Sequence, residues 1–138
     1  MVNKAVTGHM KKAHSNLESA QMLFSNGMYD GTVSSSYYAV FHAVSALLAS
    51  KGMEFSKHKT VINKYNEEFI HTGLISSISF RSLTALFRLR LDCEYDPIIF
   101  IGEEGAKEAL KLAQSAIQDI LDYCRVNNIY LPSNSEPI

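Results

Sequence analysis

Tryptophan is absent from this sequence, and proline and cysteine are scarce. Only three prolines occur in 138 residues, so most of the chain is free to form long helices, which proline would interrupt. Two cysteines are too few for a disulfide framework or a four-cysteine zinc site. No charged leader precedes an apolar run, so we expect a cytoplasmic protein without a secretory signal. No histidine has a partner at metal-ligand spacing, so we predict no metal ion and no other cofactor.

The sequence also lacks a strong excess of charge of either sign. Thirteen Lys and Arg oppose fourteen Asp and Glu, which gives a formal net charge of −1. Such a chain has no broad positive field to attract phosphate, so non-specific binding to duplex nucleic acid is not expected. The arginines are unevenly placed, however, because all four lie after residue 75 and three of them lie within residues 81–90.

Long apolar runs are missing as well. Only residues 31–50 approach the length of a membrane helix without a charge, and this segment contains five serines, two tyrosines and a histidine. These polar groups disfavour a position inside a bilayer. We therefore predict no membrane-spanning segment and no membrane partner.

Apolar residues instead recur with the 3.6-residue period of a helix along almost the whole chain. The pattern predicts helices over about residues 3–26, 30–51, 56–71, 77–95 and 102–126. Asp30 and Ser56 are expected to cap the second and third helices, and Gly27, Gly52 and Gly73 to end the first three. The expected fold is all-α, an up-and-down bundle of four to five helices. It forms a single domain over residues 1–130 with a flexible tail at 131–138.

The second predicted helix has no charged face. Its apolar stripe is ordinary, but the opposite side carries alanines and serines where a solvated helix would carry Lys or Glu. Two interpretations follow, which can also hold together: this helix lies at the centre of one bundle, or it lies at a homodimer interface. The candidate interface residues are Tyr37, Tyr38, Ala39, His42, Ala43 and Ala46.

Arg90 occupies an unusual position in the fourth predicted helix. It falls near the centre of the apolar arc, and Glu94 follows one turn later on the same line. A guanidinium in apolar packing is costly unless it is paired or reaches a polar cavity. Arg90 and Glu94 could form a buried ion pair, or Arg90 could hold a phosphate or other anion in a cleft while Glu94 orients it.

Two histidines could take part in such a site. His42 shares a flank of the second helix with Tyr38 and could transfer protons near neutral pH. His58 lies in the first turn of the third helix beside Lys57, where backbone donors and lysines favour an anion and lower the pKa of the imidazole. Both histidines also have ordinary structural alternatives. His42 could form hydrogen bonds within a packed interface, and His58 could lie in a solvated basic turn.

Three short motifs follow one another along the chain. Residues 37–43 read YYAVFHA, residues 57–62 form a basic–histidine step followed by hydrophobic residues, and Leu89–Arg90 is followed by EYD at residues 94–96. The first motif resembles the YYAxFHA signature of the HEPN-domain family. All three in order most closely resemble the small stand-alone branch of that family labelled UPF0332, which has the same basic–histidine step and a leucine–arginine and acid–tyrosine–aspartate element. The resemblance spans roughly residues 10–125.

The resemblance implies a helical bundle that forms a homodimer with a cleft between its protomers. Many members of the family bind or cleave RNA, and many are encoded beside a minimal nucleotidyltransferase as toxin–antitoxin or defence pairs. The ribonucleases of the family use an arginine and a histidine with four to six residues between them. Arg90 matches that arginine, whereas Tyr95, Asp96 and Pro97 stand where the histidine would be, and Ser35 replaces an arginine common in this branch.

We therefore expect a homodimer that binds RNA, a nucleotide or a partner nucleotidyltransferase with little or no catalysis. The expected ligand-binding residues are Arg90, Glu94, Tyr95, Tyr38, His42, Lys57 and His58. An alternative is a metal-independent endoribonuclease in which His42 or His58 acts as the base and Arg90 stabilises the phosphorane charge. A second alternative is a helical interaction scaffold with no small ligand.

Overall fold

A computed structural model describes residues 3–130, and these residues form helices with no strand among them. The prediction of an all-α bundle is thus confirmed, whereas the predicted tail at 131–138 lies outside the described residues. Each observed helix lies within a few residues of its predicted range. The helices are α1 (Lys4–Ser25), α2 (Tyr29–Ser50), α3 (His58–Tyr65), α4 (Ser77–Tyr95) and α5 (Glu103–Asn127), and a π-helical turn (Asn66–Ile70) extends α3.

The helices end where glycines permit a change of backbone direction. Gly27, Gly52 and Gly73 have φ angles of 71°, 75° and 74°, in the left-handed region that residues with a side chain rarely adopt. Each follows a helical segment and begins a short connection, as predicted. α5 ends differently, because Asn128 adopts the left-handed conformation with φ of 54°.

The predicted starts of α2 and α3 are corrected by the structure. Met28, not Asp30, is the N-cap of α2, and Asp30 lies in the first turn. Its carboxylate accepts the backbone N–H of Ile101 at 3.1 Å, so it ties the α4–α5 connection to α2. Lys57, not Ser56, is the N-cap of α3, and no side chain caps that helix.

α2 is the central helix of the bundle and packs against α1, α3, α4 and α5. Tyr37, Ala39, Ala43 and Ala46 are fully buried within the single chain. The uncharged face of α2 therefore lies at the bundle centre, the first of the two interpretations. These four residues have no surface left for a second copy, so their assignment to a dimer interface is corrected, while Tyr38 and His42 are half-buried.

The same packing explains how a helix with an uncharged face and many hydroxyl groups is tolerated. The Tyr37 and Tyr38 hydroxyls, for example, meet polar side chains of α3 and α4. Within residues 3–130, no helix combines the length and the apolar character needed to cross a membrane.

Candidate functional site

Arg90 lies inside the bundle, with only 8% of its surface exposed. α4 carries it on the side that faces α2, where aromatic rings surround it. The guanidinium carbon lies 5.0 Å from the ring centre of Tyr37, 5.3 Å from that of Tyr38 and 5.9 Å from that of Phe87. The π-faces of these rings attract the cation and offset part of the free-energy cost of its desolvation. This attraction explains how an arginine occupies an apolar arc.

The polar contacts of Arg90 orient its guanidinium but do not use all of its hydrogen-bond donors. Its Nη1 donates to the Tyr38 hydroxyl at 2.6 Å and lies 3.7 Å from a carboxylate oxygen of Glu94. The distance to Glu94 exceeds the 2.7–2.9 Å of a strong charge-assisted hydrogen bond, and Glu94 also accepts from Ser34 at 3.2 Å. The Nε of Arg90 is buried and has no hydrogen-bond partner among the described residues. The fold therefore orients the guanidinium but leaves hydrogen-bonding capacity unused.

His58 packs against the same aromatic cluster. Its Nδ1 lies 2.6 Å from the Tyr37 hydroxyl, and its ring stacks on Phe41 with the centres 4.4 Å apart. Burial, and next the positive charge of Arg90, lower the pKa of His58, although Glu94 acts in the opposite direction. At neutral pH the imidazole is uncharged, and burial raises the pKa of Tyr37 so that its phenol stays protonated.

His42 belongs to a different group of side chains. Its Nδ1 lies 3.1 Å from Nδ1 of His9 on α1, and Nε2 of His9 lies 3.4 Å from a carboxylate oxygen of Glu54. Burial lowers the pKa of His42 to about 4, and the charges of His9, Lys12 and His58 contribute further. The structure thus brings His58, and not His42, onto the rings that hold Arg90.

The depressed pKa of His42 predicts that acid destabilises the fold. An unfolded chain binds a proton at His42 below pH 6.5, whereas the folded chain resists protonation down to about pH 4. The free energy of unfolding should therefore fall by about 1–3 kcal/mol through this group as the pH is lowered across that window. Urea unfolding of the wild type and the His42→Gln variant at several pH values measures the effect. The variant should lose less stability on acidification, and equal losses in the two proteins would contradict the prediction.

Besides His42, two more of the predicted ligand-binding residues lie outside this cluster. Tyr95 is 74% exposed at the end of α4, and Lys57 is exposed at the start of α3. Sequence reasoning, in turn, missed Phe87, Phe41 and Ser34. The spacing of Phe87, three residues before Arg90 on the same helix, was the one signal that could have identified it.

The arrangement combines an oriented guanidinium, a neutral imidazole and two phenols. Guanidinium forks suit phosphate, and a neutral imidazole suits proton transfer, so the cluster has the chemistry of a phosphate-binding site. Across residues 3–130 no group of three His, Cys, Asp or Glu side chains could hold a metal ion.

Comparisons with known proteins give the same family that the motifs resemble. The HEPN domain model matches residues 6–123. A UPF0332 protein of Thermotoga maritima is 32% identical over 110 residues, which cover 80% of this chain and 83% of the relative. Two Methanocaldococcus jannaschii proteins, named "Putative toxin MJ0142" and "Putative toxin MJ0605", are 30% and 33% identical; they cover 91% and 68% of this chain and 85% and 70% of their own lengths. The chain therefore belongs to the HEPN domain family.

Proposed function

We propose that this HEPN protein is a homodimer that binds single-stranded RNA at Arg90 and cleaves it little or not at all. The observation that carries the proposal is a buried guanidinium that Tyr38 and aromatic rings hold in place, with unused hydrogen-bonding capacity. Orientation by the fold lowers the entropy that a long side chain loses on binding a phosphate. A free nucleotide offers the same phosphate chemistry and is the other form that the ligand could take.

The missing histidine supports binding rather than catalysis. Tyr95, Asp96 and Pro97 occupy the positions where the histidine of the family's ribonucleases would stand, and none of these side chains is an imidazole. A carboxylate at 3.7 Å from Nη1 orients the arginine but also opposes a second negative charge. Glu94 is therefore a positioning residue in this proposal.

The dimer contact that we propose lies next to the arginine. Tyr95, Ile98 and Phe100, in the last residue of α4 and the α4–α5 connection, are large and mostly exposed. Clustered exposed apolar side chains on a soluble domain are typical of an interaction surface. We call these three residues the α4–α5 apolar patch, and a second copy docked there would lie beside Glu94 of the first.

A ribonuclease is the second candidate, favoured by the position of His58. His58 and Arg90 pack against the same Tyr37 ring, and the depressed pKa of His58 keeps it able to accept a proton at neutral pH. It would take the proton of a ribose 2′-hydroxyl while Arg90 stabilises the charge on the phosphorane. The two relatives named as putative toxins support this candidate. If the protein is a toxin of this kind, we propose a minimal nucleotidyltransferase as its partner.

RNA incubated with the protein in EDTA separates these functions. The probe is a fluorescein-labelled single-stranded RNA of mixed sequence, followed by anisotropy for binding and by gel electrophoresis for cleavage. We expect micromolar binding and intact RNA. Cleavage that disappears in both Arg90→Lys and His58→Phe would establish the ribonuclease instead. The His58→Phe variant keeps an aromatic ring against Phe41 while removing the base.

The scaffold alternative makes a separate prediction in the same samples. A ligand that binds the folded state at a concentration 100 times its Kd adds about 2.7 kcal/mol to the free energy of unfolding. If neither RNA nor AMP raises the melting temperature and no anisotropy change is seen, the protein is an interaction scaffold and the RNA proposal is wrong.

A further inference from the structure

A cleft of about 290 Å³ lies between α3 and α4, beside the Arg90 cluster. α3 contributes Lys59 and Asn63, one helical turn apart, and α4 contributes Phe87 and Arg88. Residues three and four apart lie on one face of a helix, so both helices turn a continuous face toward this cleft. Ile62, Thr84 and Leu91 complete the lining.

The cleft is positively charged at its rim and aromatic inside. Lys59 and Arg88 are exposed, and neither forms an ion pair within residues 3–130. Asp92 lies one helical turn after Arg88 but does not pair with it. Two unpaired cations therefore lie beside a half-buried aromatic ring. Proteins that bind single-stranded nucleic acid combine the same groups, because cations contact the phosphates and aromatic rings stack on the bases. Another cleft, of about 490 Å³, lacks this character because Asp119 and Asp122 line it.

Phe87 connects the cleft to the arginine. Its ring lies 5.9 Å from the guanidinium carbon of Arg90 and 6.4 Å from the ring centre of His58, and it also lines the cleft. A strand with one phosphate at Arg90 would therefore place a neighbouring nucleotide against Phe87. Because Phe87 borders both the cleft and the Arg90 site, we assign the two to one ligand.

We propose that the α3–α4 cleft binds one nucleotide of single-stranded RNA, next to the phosphate held at Arg90. The base stacks on Phe87, the Asn63 amide hydrogen-bonds to the base edge, and Lys59 and Arg88 neutralise the flanking phosphates. This inference rests on the proposed RNA-binding function, which concerns Arg90 alone. It assigns a second contact region, in which Asn63, Phe87 and Arg88 lie outside the motifs described above.

A charge-matched pair of double variants tests the cleft. Lys59→Ala with Arg88→Ala removes two positive charges at the cleft, and Lys107→Ala with Lys111→Ala removes two exposed positive charges on α5. Fluorescence anisotropy with a labelled single-stranded RNA of about 12 nucleotides gives Kd as a function of salt. The cleft variant should bind at least about 10-fold more weakly and should lower the slope of log Kd against log salt by about 1–2, while the α5 variant changes Kd less than about 2-fold.

Two further measurements address the base and the form of the ligand. Phe87→Leu keeps an apolar side chain and should weaken RNA binding about 5- to 20-fold through lost stacking. AMP at millimolar concentration should displace the RNA only partly. Complete displacement by AMP would assign the cleft to a free nucleotide and overturn the proposal.

The outcomes separate failure of the cleft from failure of the proposed function. If the wild type binds RNA and Arg90→Lys weakens binding, but the cleft variant matches the α5 variant, the cleft assignment is wrong and the Arg90 site stands. If the wild type binds no RNA, both are wrong. Circular dichroism of each variant must show the wild-type helix content, and Phe87→Leu provides an independent readout should the double variant fold poorly.

Discussion

Replacing Arg90 by alanine should weaken binding of single-stranded RNA by at least about 100-fold. The substitution removes the guanidinium that the aromatic rings and Tyr38 hold in place, and truncation of one partner of a desolvated charged contact costs about 2–5 kcal/mol of binding free energy. Arg90→Lys keeps a positive charge but loses the planar fork, so we expect an intermediate loss. Anisotropy titrations of the wild type and both variants at one salt concentration measure these changes.

The fold should survive the loss of Arg90. Breaking a buried ion pair is severe when the remaining charge stays buried, but the side chain of Glu94 is 37% exposed and can be solvated. The Tyr38 hydroxyl loses its partner, which costs about 1–3 kcal/mol and leaves a folded protein of ordinary stability.

A control variant on another helix makes the Arg90 result specific. Arg125 on α5 is exposed and paired only with Asp122 within the described chain, so Arg125→Ala should change RNA affinity less than about 3-fold. Unfolding of both Arg90→Ala and Arg90→Lys, seen as lost helical circular dichroism, would instead show that Arg90 and Glu94 form a structural pair. Equal affinities of the Arg90 and Arg125 variants would also contradict a phosphate-binding role.

Ala43→Asp should abolish folding. Ala43 is fully buried in α2 at the centre of the bundle, where a carboxylate would have neither water nor a cation. The cost of such an unpaired charge, several kcal/mol even after relaxation, approaches the 5–15 kcal/mol that stabilise a typical domain. Far-UV circular dichroism and thermal unfolding measure the outcome. A folded monomer would mean that this face of α2 is a dimer interface after all.

Phe100→Asp provides the matched surface substitution. Phe100 is 81% exposed in the α4–α5 apolar patch, so the introduced charge stays in water and the helices should form normally. If the patch is the dimer contact that we propose, light scattering coupled to size-exclusion chromatography should report a dimer for the wild type and a monomer for this variant. A wild-type monomer, or a variant that remains dimeric, would overturn that assignment.

Much of the fold was predictable because helices are encoded by local patterns. The 3.6-residue period placed all five helices, and Gly27, Gly52 and Gly73 marked their ends because only glycine adopts positive φ without strain. Caps were less predictable. Asp30 is a good N-cap by type, but in the structure its carboxylate bonds to Ile101, a contact 71 residues away that no local pattern encodes.

The candidate site was predictable only in its arginine. Arg90 stands out because its position on an apolar arc conflicts with its charge, and that conflict is visible along one helix. His42 and His58 were equivalent candidates by sequence. Their partners depend on how α1 and α3 pack against α2, which places His42 beside His9 and His58 beside Tyr37.

The sequence by itself determined the helical class, the helix ends and an arginine that must be held away from bulk water. Only the tertiary structure decided that α2 is covered by its own chain and that the rings around Arg90 come from α2 and α4. The physical reason is that periodicity records which side chains avoid water, whereas the neighbour that excludes the water is set by packing between residues far apart in the chain.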